Sequence, residues 1–374
     1  MSGAVAMDPE LVVRVRRRMA STVATATGPA AVRAAVAAAL AQEGITLSPA
    51  RMAPLVRDLA DHVAGLGPLE RLLRQPGVTD VMVNGPAEVW VERDGRLQRT
   101  DVAFPDDDAL LEAVRRVVGP HGHRIDRTRP FVDAKLADGS RLHAVGAPIV
   151  TDGTLVTLRR YDARTISWSD LISTDAVPER AAELIGDAVR QRAALVVCGR
   201  TGTGKTTLLQ RILSDVADND RVVLIEDAPE LRPTTSHLVR METRPPSAEG
   251  SGAVDIATLV RQALRMRPDR IVIGEVRGVE IADVLQAMIT GHEGCMTTVH
   301  ASSAEQALIR LEGMALLAGL PLAAAQVQLA SALDLIVALD RGPDGRRGVT
   351  EIAQVTAVDR VPVATPIWRR QGWS

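Results

Sequence analysis

Residues 199–207 read Gly199-Arg200-Thr201-Gly202-Thr203-Gly204-Lys205-Thr206-Thr207. Four residues separate Gly199 from Gly204, and a lysine and a hydroxyl residue follow, which is the form of a phosphate-binding loop. Glycines let backbone N–H groups turn inward on an anion, and a helix behind the loop adds the positive end of its dipole. In such a loop Lys205 reaches the β- and γ-phosphates of a nucleotide and the Thr206 hydroxyl ligates Mg2+. The flanks have the matching order. Ala193-Ala194-Leu195-Val196-Val197-Cys198 is an apolar run of buried-strand type, and Thr207 to Leu213 has helical spacing. A glycine turn in an unrelated α/β fold is the alternative reading, and the strand–loop–helix context argues against it.

Working outward, residues from Glu179 onward alternate between strand and helix patterns, as in a parallel sheet with crossover helices. The strands fall at Ala194–Cys198, Arg221–Ile225, Leu238–Glu242, Arg270–Ile273, Cys295–Val299, Leu335–Leu339 and Val349–Val355. The helices fall at Arg180–Arg192, Lys205–Ala217, Ile256–Arg265, Glu280–Ile289, Ala304–Leu317 and Leu322–Ser331. Residues after Arg360 read as a surface tail. Upstream, the Ser-, Asp- and Thr-rich stretch Thr165–Pro178 reads as a linker. Before it, short mixed elements between Ala50 and Tyr161 form a small α+β domain with its own antiparallel sheet. They are helices at Leu55–Val63, Leu69–Leu73 and Asp108–Val118, a strand pair at Val78–Pro86 and Glu88–Glu92, a hairpin turning at Asp138-Gly139, and a strand at Leu155–Arg160. The Ala-rich run Ala31–Ala41 predicts a helical extension. The expected division is thus extension 1–48, α+β domain 49–162, linker 163–178 and P-loop domain 179–374.

Composition narrows the class. The chain has 374 residues, long enough for two domains, or three if one is small, and with 46% hydrophobic and 24% charged residues a sizeable core is available. A net charge of −2 without runs of one sign, and 2% aromatics, give no footprint for nucleic acid or an anionic membrane. Cys198 and Cys295 stand apart with no C-x-x-C pair, which fits a reducing cytoplasm and no zinc site. The basic N-terminal residues Arg14, Arg16, Arg17 and Arg18 are not followed by the apolar core of a signal peptide, and no run of about twenty apolar residues predicts a membrane span.

Hydrolysis at a P-loop needs acids at the carboxyl ends of neighbouring strands, to hold the shell of the metal and to position water. Two strands end this way: Val222–Ile225 runs into Glu226 and Asp227 with Glu230 just beyond, and Ile271–Ile273 runs into Gly274 and Glu275. Between His292 and His300 lies a strand; His300, at its end, can sense the γ-phosphate or join the water network, or be an ordinary core or surface histidine. Eight positions and a strand apart, the two rings do not read as one metal site. Arg240, Arg244, Arg261, Arg265, Arg267, Arg270 and Arg277 surround these motifs, and the spacing alone selects none of them as a finger.

Together these motifs carry a resemblance. Arg240-Met241-Glu242-Thr243-Arg244-Pro245-Pro246, Leu259 to Ile271, Gly274-Glu275-Val276-Arg277-Gly278 and the His292–His300 stretch resemble the type II/IV secretion ATPase superfamily. Within it they resemble most the CpaF-like ATPases of tight-adherence (Flp) pilus and related secretion loci. The likeness runs from Gly67 to Val355. It implies a RecA-like motor domain behind a smaller, PAS-like α+β domain, with ATP and Mg2+ as cofactors. By resemblance, Gly199–Thr207 is the Walker A loop; Glu226, Asp227 and Glu230 the aspartate box; Gly274 and Glu275 the Walker B; and His292–His300 the histidine box. Arg261 and Arg265 match arginines of the nucleotide site, and Arg141 and Arg159 match those an N-terminal domain brings towards the phosphates. On this reading Glu275 orders the metal-bound water, Glu230 or Glu226 positions the attacking water, and Arg159 or Arg265 neutralises developing charge. The resemblance further implies a cytoplasmic hexameric ring at the inner membrane that works on a polytopic membrane partner, with movement about Arg164–Thr174. No zinc module of the general-secretion branch is present, and Cys295 replaces a small polar residue. A nucleic-acid translocase on the same core, and a scaffold that binds ATP without turnover, are the competing readings.

Overall fold

In the computed structural model the described residues are 13–15, 17–18, 29–45, 48–93, 95–136, 138–160, 166–244, 251–342 and 345–373. Ala137 of the expected hairpin, the end of the expected α+β domain and the start of the expected linker (161–162 and 163–165) and Pro245-Pro246 lie outside them. The chain divides into two compact units at Asp162/Ala163.

The first unit opens with α1 (Pro29–Gln42) and α2 (Pro49–Ala64). Their contact buries Val36, Ala39 and Leu40 against Val56, Leu59 and Val63, a small core separate from that of the sheet. After the short α3 (Leu69–Leu73) come β1 (Val78–Asn84), β2 (Val89–Arg93), β3 (Arg96–Arg99), α4 (Asp107–Val118), β4 (Phe131–Lys135), β5 (Arg141–Val145) and β6 (Leu155–Arg159). The six strands make one antiparallel sheet in the order β3-β2-β1-β6-β5-β4. Alternation fixes its faces: Val81, Val83, Leu142, Ala144, Val156 and Leu158 point to α4, which answers with Leu110, Ala113, Val114 and Val118. Helix α4 starts where the Asp106 carboxylate accepts the Ala109 N–H at 2.8 Å. Arg141 and Arg159 sit directly opposite one another in the β5–β6 register, on the face away from α4.

The second unit contains α5 (Trp168–Ser173), α6 (Glu179–Arg190), β7 (Leu195–Gly199), α7 (Lys205–Leu213), β8 (Val222–Glu226), β9 (Leu238–Glu242), α8 (Ile256–Ala263), β10 (Arg270–Ile273), α9 (Ile281–Ile289), β11 (Met296–Val299), α10 (Ala304–Leu317), α11 (Leu322–Ala332), β12 (Leu335–Arg341), β13 (Arg347–Val358) and β14 (Val361–Arg369). The sheet order is β14-β13-β12-β7-β11-β10-β8-β9, parallel from β12 to β9 and antiparallel over the last hairpin. The central strands are apolar on both faces because helices cover both. Val196, Cys198, Val223, Ile225, Ile271 and Ile273 face α8–α11, while Leu195, Val197, Val222, Leu224 and Val272 face α6 and α7. This puts β7, and the loop that follows it, between β11 and β12 in the middle of the sheet.

Two expectations are corrected. The segment after Arg360 is not a tail: Val361–Arg369 is a strand paired along β13, and Trp368 packs on the core. Within the stretch expected as linker, Trp168–Ser173 is a helix with a Ser167/Asp170 capping box, and Leu171 and Val177 are buried in the core of the second unit.

Candidate nucleotide site

Strand β7 ends at Gly199, level with Leu339 of β12. The loop then needs two left-handed residues, Gly202 (φ 73°) and Gly204 (φ 99°), before α7 begins at Lys205. The N–H groups of the first turn of a helix lack intrahelical acceptors, so the start of α7 offers donors to an anion. The Thr203 hydroxyl donates to the Arg200 carbonyl at 2.9 Å and braces the loop. Lys205 is buried; its Nζ donates to the Gly199 and Arg200 carbonyls at 3.0 and 3.2 Å and stands 3.2 Å from His300 Nδ1.

An ammonium can only donate, so Nδ1 of His300 is the acceptor and the ring proton sits on Nε2. Nε2 faces Glu275 Oε1 at 2.8 Å, close in distance although off the line of a hydrogen bond. Arg277 donates to the other oxygen of Glu275 at 2.8 Å. Burial, and then the neighbouring Lys205 ammonium, hold the His300 pKa below its ordinary value, against the pull of Glu275. The ring is thus kept neutral between a cation and an anion. Glu275 itself is set by the turn after β10, where the Thr298 hydroxyl donates to the Gly274 carbonyl at 2.8 Å.

The aspartate-box acids separate. Glu226, at the end of β8, is buried and accepts the Glu230 and Leu231 N–H groups at 2.8 and 2.9 Å. Burial raises its pKa, and those two bonds lower it less. Glu230 is the acid that comes to the loop, with Oε2 at 3.4 Å from the Thr206 hydroxyl. Asp227 is farther out and accepts the Thr243 hydroxyl at 3.3 Å.

The fold therefore brings Lys205, Thr206, Glu230, Glu275 and His300 together at the loop, with Arg200, Thr201 and Thr207 on its rim and first turn. It leaves others apart within this unit. His292 lies at the opposite end of β11, near the Ala287 carbonyl (3.2 Å). Arg261 is engaged with Asp283 of α9 at 3.0 Å, and Arg265 is exposed in the turn after α8. Arg141 and Arg159 belong to the other unit, where Arg159 lies 3.7 Å from Asp80. No group of three or more His, Cys, Asp or Glu among the described residues is arranged to hold a metal by itself. Burial pushes the thiols of Cys198 and Cys295 up to about 12 and about 11, so both stay protonated and inert. Sequence reasoning named Arg277 without a role and passed over Arg341. The latter ends β12 beside the loop, its guanidinium 3.7 Å from where a side chain on Gly202 would begin. Only the strand order, which sets β12 against β7, reveals it.

A phosphate loop at the centre of a parallel sheet in this order defines a RecA-like P-loop domain, here preceded by a smaller α+β domain. The family described as type II/IV secretion system protein matches residues 62–341, and the chain belongs to it. A putative conjugal transfer protein of Mycobacterium tuberculosis is 41% identical over 319 residues, covering 84% of this chain and 91% of that one. The type IV secretion system protein PtlH of Bordetella pertussis is 33% identical over 78% of this chain and 93% of its own. Among solved structures, the ATPase DotB of Legionella pneumophila shares the fold, with a TM-score of 0.55 at 23% identity, covering 82% of this chain and 81% of that one. No helix among the described residues is long and apolar enough to cross a membrane.

Proposed function

We propose that this protein hydrolyses ATP and is the motor of a secretion machine of the type II/IV class. The observation that carries the reading is the convergence of Lys205, His300, Glu275 and Glu230 on one phosphate loop. A scaffold that only binds nucleotide has no use for two carboxylates there. The donors also suit the metal: the Thr206 hydroxyl with Glu275 and Glu230 nearby is a hard oxygen set of the kind Mg2+ takes. Thr206 would hold Mg2+ directly and Glu275 through water, and the ion would neutralise charge that develops between the β- and γ-phosphates.

The residues of the chain then divide the work. Lys205 neutralises phosphate charge. Glu230, rather than the inward-turned Glu226, orients the attacking water. His300, neutral between Lys205 and Glu275, reports the position of the terminal phosphate to the end of β10. Arg159 or Arg265 neutralises the transition state, with Arg141 and Arg261 as further contacts; since Arg261 is engaged with Asp283 and Arg265 is exposed, a neighbouring chain in a hexameric ring would receive them. The ring would work at the cytoplasmic face of the inner membrane against a polytopic partner. The conjugal-transfer and type IV secretion relatives favour a transfer or secretion locus, with tight-adherence pilus assembly as the finer branch that the motifs resemble.

The test is steady-state hydrolysis with Mg2+ by protein sized by light scattering, with and without DNA. Lys205→Ala should abolish turnover; a variant that keeps appreciable activity would remove the assignment. Slow turnover indifferent to DNA supports the secretion motor, whereas strong stimulation with a steep salt dependence would make it a nucleic-acid translocase.

A further inference from the structure

Glu226 is a buried acid, 5% exposed, beside a reaction that needs one water-orienting carboxylate already supplied by Glu230. Its Oε1 is taken up by two backbone donors, the N–H groups of Glu230 at 2.8 Å and Leu231 at 2.9 Å. Other groups close the same turn from outside: Arg240 on β9 donates to the Leu231 carbonyl, and Gln210 on α7 accepts the Arg232 N–H at 3.3 Å. Leu231 anchors it as a fully buried residue of the core. The stem of Glu226 also lies against Gly274, where an added Cβ would be 3.1 Å from Glu226 Cγ. One side chain thus ties the turn that carries Glu230 to the strand end that carries Glu275.

We propose that Glu226 is a positioning residue that sets the Glu230 carboxylate beside Thr206, and that its carboxylate acts as a hydrogen-bond acceptor, not as the acid or base of the reaction. The inference rests on the reading of Glu230 as the water-orienting group. What the turn requires of position 226 is an oxygen at that place, and an amide supplies one as well as a carboxylate does. Position 230 requires the negative charge itself.

The experiment compares steady-state ATP turnover of the full chain with its Glu226→Gln, Glu226→Ala and Glu230→Gln variants. Glu226→Gln should stay within about threefold of the parent kcat, with the acid limb of its pH profile in place. Glu226→Ala should lose at least about tenfold in kcat with KM for ATP nearly unchanged, because the loop that binds phosphate is untouched. Glu230→Gln should lose about a hundredfold or more. A Glu226→Gln variant as inactive as Glu230→Gln, or a Glu226→Ala variant as active as the parent, overturns the proposal. A fully active Glu230→Gln instead overturns the underlying reading of Glu230. If Glu226→Ala does not fold, the Glu226→Gln comparison alone decides.

Discussion

Gly199→Ala adds one methyl group at the most confined point of the phosphate loop. Its Cβ would lie 2.8 Å from the Leu339 carbonyl oxygen, and nearer still to the Thr203 hydroxyl. The hydroxyl can turn away, giving up its 2.9 Å bond to the Arg200 carbonyl, a loss of about 1 kcal/mol. The carbonyl cannot, because Leu339 and Gly199 are paired in register in the middle of a buried sheet. Relaxing that contact to about 3.5 Å separates the strands by roughly 0.7 Å, and overpacking of this kind costs about 1–3 kcal/mol. The total, about 2–4 kcal/mol, corresponds to a Tm lower by about 4–16 °C in a unit of this size. The displacement also moves the Gly199 and Arg200 carbonyls that hold Lys205. Mg-ADP at a hundred times its Kd should stabilise the parent by about 2.7 kcal/mol and the variant by much less. Thermal melts followed by circular dichroism, with and without Mg-ADP, read both effects. A variant that melts within about 1 °C of the parent and gains as much from the nucleotide would refute the steric reasoning.

Three further outcomes follow from other parts of the second unit. Asp220→Ala strips the partner from Arg270, two side chains almost wholly buried at 2.8 Å with Arg192 alongside; urea unfolding should show a loss of about 3–5 kcal/mol, and a loss under 1 kcal/mol would show that the cation is compensated otherwise. His300, whose pKa burial and Lys205 depress, contributes stability that is complete above its unfolded value of about 6.5 and is lost as pH falls through the folded value. On the same acid side an imidazolium would repel Lys205, so kcat should drop there, and an identical acid limb in His300→Gln would assign that drop to another group. Trp168 joins α5 to the phosphate-loop helix, its Nε1 donating to Asp215 and its ring 5.4 Å from the Arg211 guanidinium. Trp168→Ala should cost about 2 kcal/mol and remove the slowing of hydrogen exchange that Mg-ADP imparts to α5, while α7 keeps its own; continued slowing in α5 would show a different route.

The buried parallel strands were legible because a strand covered on both faces must be apolar throughout, and the Ile271–Ile273 run of β10 stands where the pattern put it. Strand β3 had no such signature, since all four of its residues are exposed and only its ladder with β2 holds it. Strand β14 was hidden by Pro362 and Pro366, which argue against a strand except at the edge of a sheet, the place it occupies. At the site, residue type announced chemistry wherever chemistry dictates type, as at Lys205 and Glu275. It could not divide the labour between Glu226 and Glu230, because acids four positions apart look alike until one is seen turned into the backbone and the other towards Thr206. The same ambiguity misplaced α5. Ser167 and Asp170 give a linker its polar composition, and they are also what a helix start requires: each accepts a backbone N–H of the other. Composition cannot tell a loose tether from a capped helix, but Leu171 and Val177 can, because a tether has nothing to bury. The core contacts of α5, and the Arg370 bond to the Asp175 carbonyl just beyond it, make this helix part of the second unit.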